Sequence, residues 1–386
     1  LGTTPVTRRT LLGAALGALA LAACSGGGSG RGKNGQPQLI LWYEADAPFQ
    51  AILPDLVKQY NDTKPAVQVL AQEQVQLSLK LPVVIGAHDA PDLVIYRHSQ
   101  AFPLASRGAA FPVTDFAKRD GITAESFDSV AWNGGQHDGK LWGLPLTVDA
   151  TVLLYNKKLL GDAGLDPNHP PATWDELNAA CKALAVMKGT QLQQTGFFAY
   201  RDVPFSLWLW MAGGEVLKPD GKAPAFDNAA GQKTLQFLID DAAANGGLDN
   251  MVGLQLSTAF AEGEPGMFTR GKLAMYAGTF GTVQQMRRSD VAPQLGTAPL
   301  PRPSDGKNVT LADGYYIFSP VNTPDPHPEG TWDFMRWLST NQEVQVQLAK
   351  VSAVPALRSA QQDTSVANAP GVQTIPVSYT HRRCRR

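Results

Sequence analysis

Apolar residues in this chain gather in short runs separated by amphipathic stretches. Gln38 to Tyr43 (QLILWY) reads as a buried strand. After it, Phe49, Ile52, Leu53, Leu56, Val57 and Tyr60 recur at helical spacing and predict a helix with one apolar face. Val67 to Ala71 predicts a second strand, and Asp92 to Tyr96 (DLVIY) a third. Strands and helices alternating at this spacing favour a mostly parallel sheet with helices on both faces. Thr173 with Glu176, and Thr340 with Glu343, have capping-box spacing and mark two helix starts. Pro82 falls within Gln74 to Ile85, so a helix there either begins late or is kinked.

The N-terminal pattern is different. Arg8-Arg9 precedes an apolar run from Leu11 to Ala23, too short to span a bilayer and suited to a secretory signal over residues 1–23. The run ends Leu21-Ala22-Ala23-Cys24, which looks like a lipobox, with Cys24 diacylated as the mature N-terminus. The twin arginines suggest export by the Tat route, with Sec export the alternative. Residues 24–36 combine that cysteine with a Gly/Ser-rich tether, which spans on the order of 20 Å. At the other end, Val377-Ser378-Tyr379-Thr380-His381 is what one frame of a common transposon-end adapter encodes, and an Arg-rich run follows. Residues 377–386 therefore read as a non-native tail after a break near Pro376, and Leu1 hints at a non-standard or trimmed start.

Composition narrows the class. With 386 residues, net charge −1 and 17% charged residues, the chain suits neither nucleic acid nor a polybasic membrane-surface role, and it is long enough for two lobes. Its three cysteines outline neither a disulfide framework nor a cysteine metal site; Cys181 reads as a small packing residue.

The densest motif is Leu141 to Asp162, LWGLPLTVDATVLLYNKKLLGD, followed by Ala163-Gly164-Leu165-Asp166-Pro167 and Pro171 to Leu177. This run resembles the extracellular solute-binding proteins of ABC importers, in particular the carbohydrate-binding family that includes maltose-binding proteins. The family's signature spacing is met from Pro145 to Asp162. Further likenesses lie in Trp208 to Glu215, and in Arg270 to Phe280, where Phe stands for the family's Trp. Leu300-Pro301 and Asp313-Gly314-Tyr315 resemble the return to the first lobe, with Asp-Gly for the usual Gly-Gly. Trp332 to Leu338 and Asn341 to Arg358 resemble the closing helices, so the likeness runs from Leu39 to Arg358.

The resemblance implies an α/β, two-lobe periplasmic-binding-protein-like fold of type II, each lobe a mixed, mostly parallel sheet flanked by helices. Lobe 1 would be residues 37–147 plus 301–338 and lobe 2 residues 148–300 plus 339–376, with three crossings near Thr147, Pro301 and Leu338. It also implies a monomeric transport receptor rather than an enzyme, closing on its ligand between the lobes and delivering it to a membrane permease pair. No cofactor or metal is expected.

In open α/β sheets ligands sit beyond the carboxyl ends of the strands. A sugar needs flat aromatic rings for its C–H faces and polar groups for its hydroxyls. Candidates of those types are Tyr43, Glu44 and Asp46 after the first strand, Arg97 after the third, and Asp149 past the first crossing. Trp208 and Trp210, the loop Gly278-Thr279-Phe280, and Asp313-Gly314-Tyr315 complete the set. Trp208 and Trp210 cannot both face a ligand from one regular helix, and Tyr43 or Trp42 could be core, because neighbouring strand residues point oppositely. Arg358 could reach the ligand or lie on the surface.

Other chemistries fit less well. Tyr315-Tyr316 invites ferric iron, but the histidines are scattered. A glycosidase would need two carboxylates flanking a cleft, which Glu44, Asp46 and Asp149 could supply only on paper. A charged solute such as a glycerol-phosphate compound or a peptide would make use of Arg97, although no basic cluster accompanies it. Neither the sugar nor its chain length is read from the sequence.

Overall fold

A computed structural model of the chain describes residues 37–324, 326–351 and 354–367. The leader, Cys24, the tether and the tail expected from residue 377 lie outside the described residues. The elements that matter below begin with β1 (Gln38–Tyr43), α1 (Ala47–Asp62), β2 (Gln68–Glu73), α2 (Leu77–Gly86), β3 (Leu93–Arg97), β4 (Leu144–Pro145), β5 (Thr147–Ala150) and β6 (Val152–Asn156). After them come α3 (Trp174–Leu184), α4 (Phe205–Met211), α5 (Ala229–Ala244), β7 (Met275–Gly278), α6 (Phe280–Met286), β8 (Leu295–Ala298), β9 (Ala312–Asp313), β10 (Tyr315–Phe318), α7 (Pro328–Thr340), α8 (Gln342–Val351) and β11 (Val354–Pro355).

The chain divides into two compact units, each assembled from separate stretches. The first holds the described chain up to Thr123, Gly134–Leu146 and Tyr315–Asn341; the second holds Ala124–Asn133, Thr147–Gly314 and the chain from Gln342. Apart from shifts of one to three residues at the bounds near Thr147 and Asn341, two stretches differ from the sequence reading. Residues 124–133 belong to the second unit, where Asp128 N–H donates to the Ala356 carbonyl at 2.8 Å. Residues 301–314 also stay in the second unit, because Val309 and Leu311 pack on its core and Arg302 pairs with Ala172 and Trp174 through the backbone.

The first unit is organised by a five-stranded sheet in the order β2-β1-β3-β10-β4. β1 runs parallel to β2 and β3, as the alternating pattern predicts, whereas β10 is antiparallel to both neighbours. Against it α1 buries Phe49, Leu53, Leu56, Val57 and Tyr60, close to the predicted apolar face, and Tyr60 packs on Phe334 of α7 at 4.9 Å. Pro82 lies inside α2, which starts at Leu77.

The second unit departs from the mostly parallel expectation: its three-stranded sheet β7-β6-β8 is antiparallel throughout. Its core is aromatic, with Trp174 stacked on Phe237 at 4.1 Å and Trp208 edge-on to Phe237 at 5.0 Å. The capping box at Thr173 and Glu176 forms with both of its hydrogen bonds. The one expected at Thr340 does not mark a start. Thr340 is the last residue of α7 and its hydroxyl turns back to the Arg336 carbonyl at 2.8 Å.

The buried face of α5 carries Thr234, Phe237 and, unusually, Asp241. The Asp241 carboxylate accepts from the Ala199 N–H at 3.3 Å and the Asn245 side-chain amide at 3.3 Å, with the Cys181 thiol at 3.8 Å. The Asn245 carbonyl oxygen in turn accepts from the Thr195 hydroxyl and the Gly196 N–H, both at 2.8 Å, so α5 is tied to the loop that precedes α4. Burial pushes the Asp241 carboxyl up to about 7, against favourable hydrogen bonds from Ala199, Cys181 and Asn245, and also pushes the Cys181 thiol up.

Candidate functional site

In the first unit the parallel pair β1 and β3 ends on one side of the sheet, and antiparallel β10 begins there, with Tyr315 paired to Arg97. The register therefore brings residues far apart in sequence to one sheet end. Asp46 is the N-cap of α1, its carboxylate accepting from the Phe49 N–H at 3.1 Å. The same side chain accepts from Arg97 Nη2 at 3.4 Å and from the Tyr315 hydroxyl at 3.2 Å, while the Asp46 N–H donates to that hydroxyl at 2.8 Å. The Arg97 guanidinium lies over the Tyr315 ring, 4.8 Å from its centre. Tyr315 is buried, which raises its phenol well above the usual range, and the nearby Arg97 charge works against that shift. Asp46 and Arg97 side chains each keep 29% of their surface exposed, so both can meet a solute.

Glu44 lies two residues before Asp46, just past the end of β1. Its carboxylate accepts from the Leu77 N–H at 2.8 Å and so caps α2, whose own cap position, Gln76, makes no side-chain bond and has a left-handed backbone at φ 57°. Tyr96 is buried, its phenol raised first by burial and then by the Glu44 charge. Tyr43 is also buried, and burial followed by the Glu73 charge raises its phenol. Of the pair Trp42 and Tyr43, Trp42 belongs to the aromatic core with Tyr96 and Trp142, and its indole N–H donates to Gln72 at 3.0 Å.

In the second unit the candidates around β5 hold each other. Asp149 is buried, and its carboxylate accepts from the Phe280 N–H at 2.7 Å and the Ala150 N–H at 2.9 Å, serving the first turn of α6, where Thr279 makes no cap bond of its own. Asp313 lies opposite Asp149 across the β5–β9 pair. Gly314 is forced by space, since a Cβ there would come within 2.1 Å of the Thr147 carbonyl oxygen. Gly278 is crowded less severely, by the side chains of Leu154 and Thr282 at 3.0 Å.

Two aromatic expectations need correcting. Phe280 is 2% exposed, so its ring is packed away rather than presented as a platform. Trp208 is fully buried, with its indole N–H given to the Ala199 carbonyl at 2.9 Å. Trp210, two residues on, is half-buried at the margin of the same core and remains available to a ligand. Arg358 donates to the Phe127 carbonyl and is exposed. The Asp241 network was missed, although Thr234, Phe237 and Asp241 share the spacing of one helical face.

The sequence matches the family of bacterial extracellular solute-binding proteins over residues 43–345. The chain belongs to that family. This solute-binding protein is 28% identical over 240 residues to a probable amino-acid ABC transporter periplasmic-binding protein of Sinorhizobium fredii, a match covering 59% of this chain but only 50% of the relative. It is 22% identical to a maltotriose-binding protein of Pyrococcus abyssi, over 89% of this chain and 71% of the relative. It is also 22% identical to an sn-glycerol-3-phosphate-binding periplasmic protein of Rhizobium meliloti, over 85% of this chain and 77% of the relative. Among solved structures it is similar to mannotriose-bound CpMnBP1, at TM-score 0.77 and 25% identity over 88% of this chain and 87% of that one. The GacH receptor of Streptomyces glaucescens has the same fold at TM-score 0.71 and 22% identity, over 87% of this chain and 84% of that one. The family is one of extracellular solute-binding proteins.

Proposed function

We propose that this solute-binding protein captures a sugar or oligosaccharide and delivers it to the membrane permease of an ABC importer. The observation that carries the reading is the locked group Asp46–Arg97–Tyr315, in which partly exposed charged groups are already held by backbone and phenol hydrogen bonds. A hydroxyl-rich solute meets acceptors and donors that lose little freedom on binding, and each bond to a charged group contributes roughly 1.5–3 kcal/mol. Glu44 in the first unit, and separately Trp210 and the partly exposed Asp313 in the second, are the further candidates in this reading. The mannotriose-bound and maltotriose-binding relatives support the solute class. The protein acts as a monomer, anchored to the outer face of the membrane through a diacylated Cys24 after Tat export.

A thermal-shift screen of the protein against sugars, polyols, glycerol phosphates and short peptides tests the solute. A ligand at a hundred times its Kd adds about 2.7 kcal/mol, which moves Tm by several degrees in a chain of this size. A selective shift with a sugar is the expected result; a shift only with phosphates or peptides overturns it. For the anchor, Cys24→Ser should release the protein from the membrane fraction.

A further inference from the structure

Asp46 occupies a place where a purely structural cap would not need a cation. It caps α1 through the Phe49 N–H and at the same time holds Arg97 at 3.4 Å. Tyr315 fixes that arrangement from below: its hydroxyl receives the Asp46 N–H at 2.8 Å, returns a bond to the Asp46 carboxylate at 3.2 Å, and its ring supports the guanidinium. The Asp46 carboxylate cannot swing away from Arg97 without uncapping α1 and breaking its bond from the Tyr315 phenol. The Asp46 carboxylate is thus held against the Arg97 guanidinium.

We propose that Asp46 sets the charge selectivity of this sheet end, neutralising Arg97 so that phosphate esters and carboxylates are refused and uncharged polyols accepted. The inference rests on the reading of this sheet end as the solute site. A hydroxyl can accept from the guanidinium and donate to a carboxylate at the same time. The ionised oxygens of an anion can only accept, so they must compete with Asp46 for Arg97 while lying against a fixed like charge, which repels them. Arg97, which in the sequence favours an anionic solute, is in the folded unit an internal counter-ion and a donor to neutral hydroxyls.

Asp46→Asn removes the charge and keeps the cap, because asparagine caps helices as well as aspartate does. Calorimetric titrations of both proteins with inorganic phosphate, sn-glycerol 3-phosphate and mannobiose at neutral pH read the effect. The wild type should ignore both anions. Asp46→Asn should gain affinity for them by at least about tenfold, the gain should fall with added salt, and Asp46→Asn/Arg97→Met should lose it. Asp46→Ser, also a neutral cap, serves the same comparison if the asparagine variant does not fold. A folded neutral variant that gains no anion binding overturns the proposal, as does a wild type that binds sn-glycerol 3-phosphate as tightly as the variant. Mannobiose binding with no gained anion affinity defeats the selectivity and leaves the sugar reading standing. Gained anion affinity in a protein that binds no sugar does the reverse.

Discussion

Asp241→Asn should raise the stability of the second unit above neutral pH and leave it nearly unchanged in acid. The carboxyl is almost fully buried, its partners are neutral, and its pKa stands at about 7 against an ordinary 3.8. The folded pKa is the raised one. Below about pH 4 the group is protonated folded and unfolded alike, and its contribution is fully present. As pH climbs, the unfolded chain releases the proton first, so stability falls steadily until the folded carboxyl also ionises near pH 7. Three pKa steps at 1.36 kcal/mol each put the loss at about 4 kcal/mol. Asparagine keeps an acceptor for the Ala199 N–H and cannot ionise, so the variant lacks this slope. Urea unfolding of both proteins across pH 4 to 9, followed by tryptophan fluorescence, measures it, since Trp174 and Trp208 share a core with Cys181 and Phe237 beside Asp241. The stability advantage of the variant should grow through the window and then level. An advantage that is flat across pH, or that shrinks as pH rises, would refute the reasoning and mean that the native carboxylate is ionised and hydrated.

Two substitutions test the packing around the site. Gly314→Ala should cost about 3 kcal/mol, read as a lowered urea midpoint, because its Cβ collides with the Thr147 carbonyl rather than with a side chain that could rotate away. Trp208→Ala should cost about 3–5 kcal/mol in the same assay, whereas Trp210→Ala should lower the midpoint far less and weaken sugar binding by calorimetry.

The strands and the helix of the first unit were legible because their signals are local: QLILWY and DLVIY are apolar runs, and α1 repeats its buried positions every three or four residues. The carboxyl ends of β1 and β3 were therefore placed correctly, and with them Asp46 and Arg97. That the two form one group with Tyr315 depends on β10 pairing with β3, which no local pattern specifies. Thr340 shows the limit of motif spacing. Its hydroxyl is given to a carbonyl one turn back, so Thr340 closes α7 rather than capping α8, which begins at Gln342. Phe280 shows another: an aromatic residue after a strand reads as a platform, but its amide is tied to the buried Asp149 and the ring follows it inward. The bounds of the units were blurred for a similar reason, since Pro301 looks like a point of return while the packing of Val309 and Leu311 keeps the chain in the second unit until Gly314.

The position of β10 has a consequence for how the chain is made. This strand lies inside the first unit's sheet, between β3 and β4, yet it is encoded roughly 200 residues after β3. At about 5–20 residues per second, synthesis leaves β3 without that neighbour for on the order of ten seconds or more. Until Tyr315 to Phe318 emerge, Arg97 has no ring beneath it and Asp46 no phenol to hold it. The first unit's sheet is therefore completed only after most of the second unit has been synthesised, and until then the edge of β3 stays open.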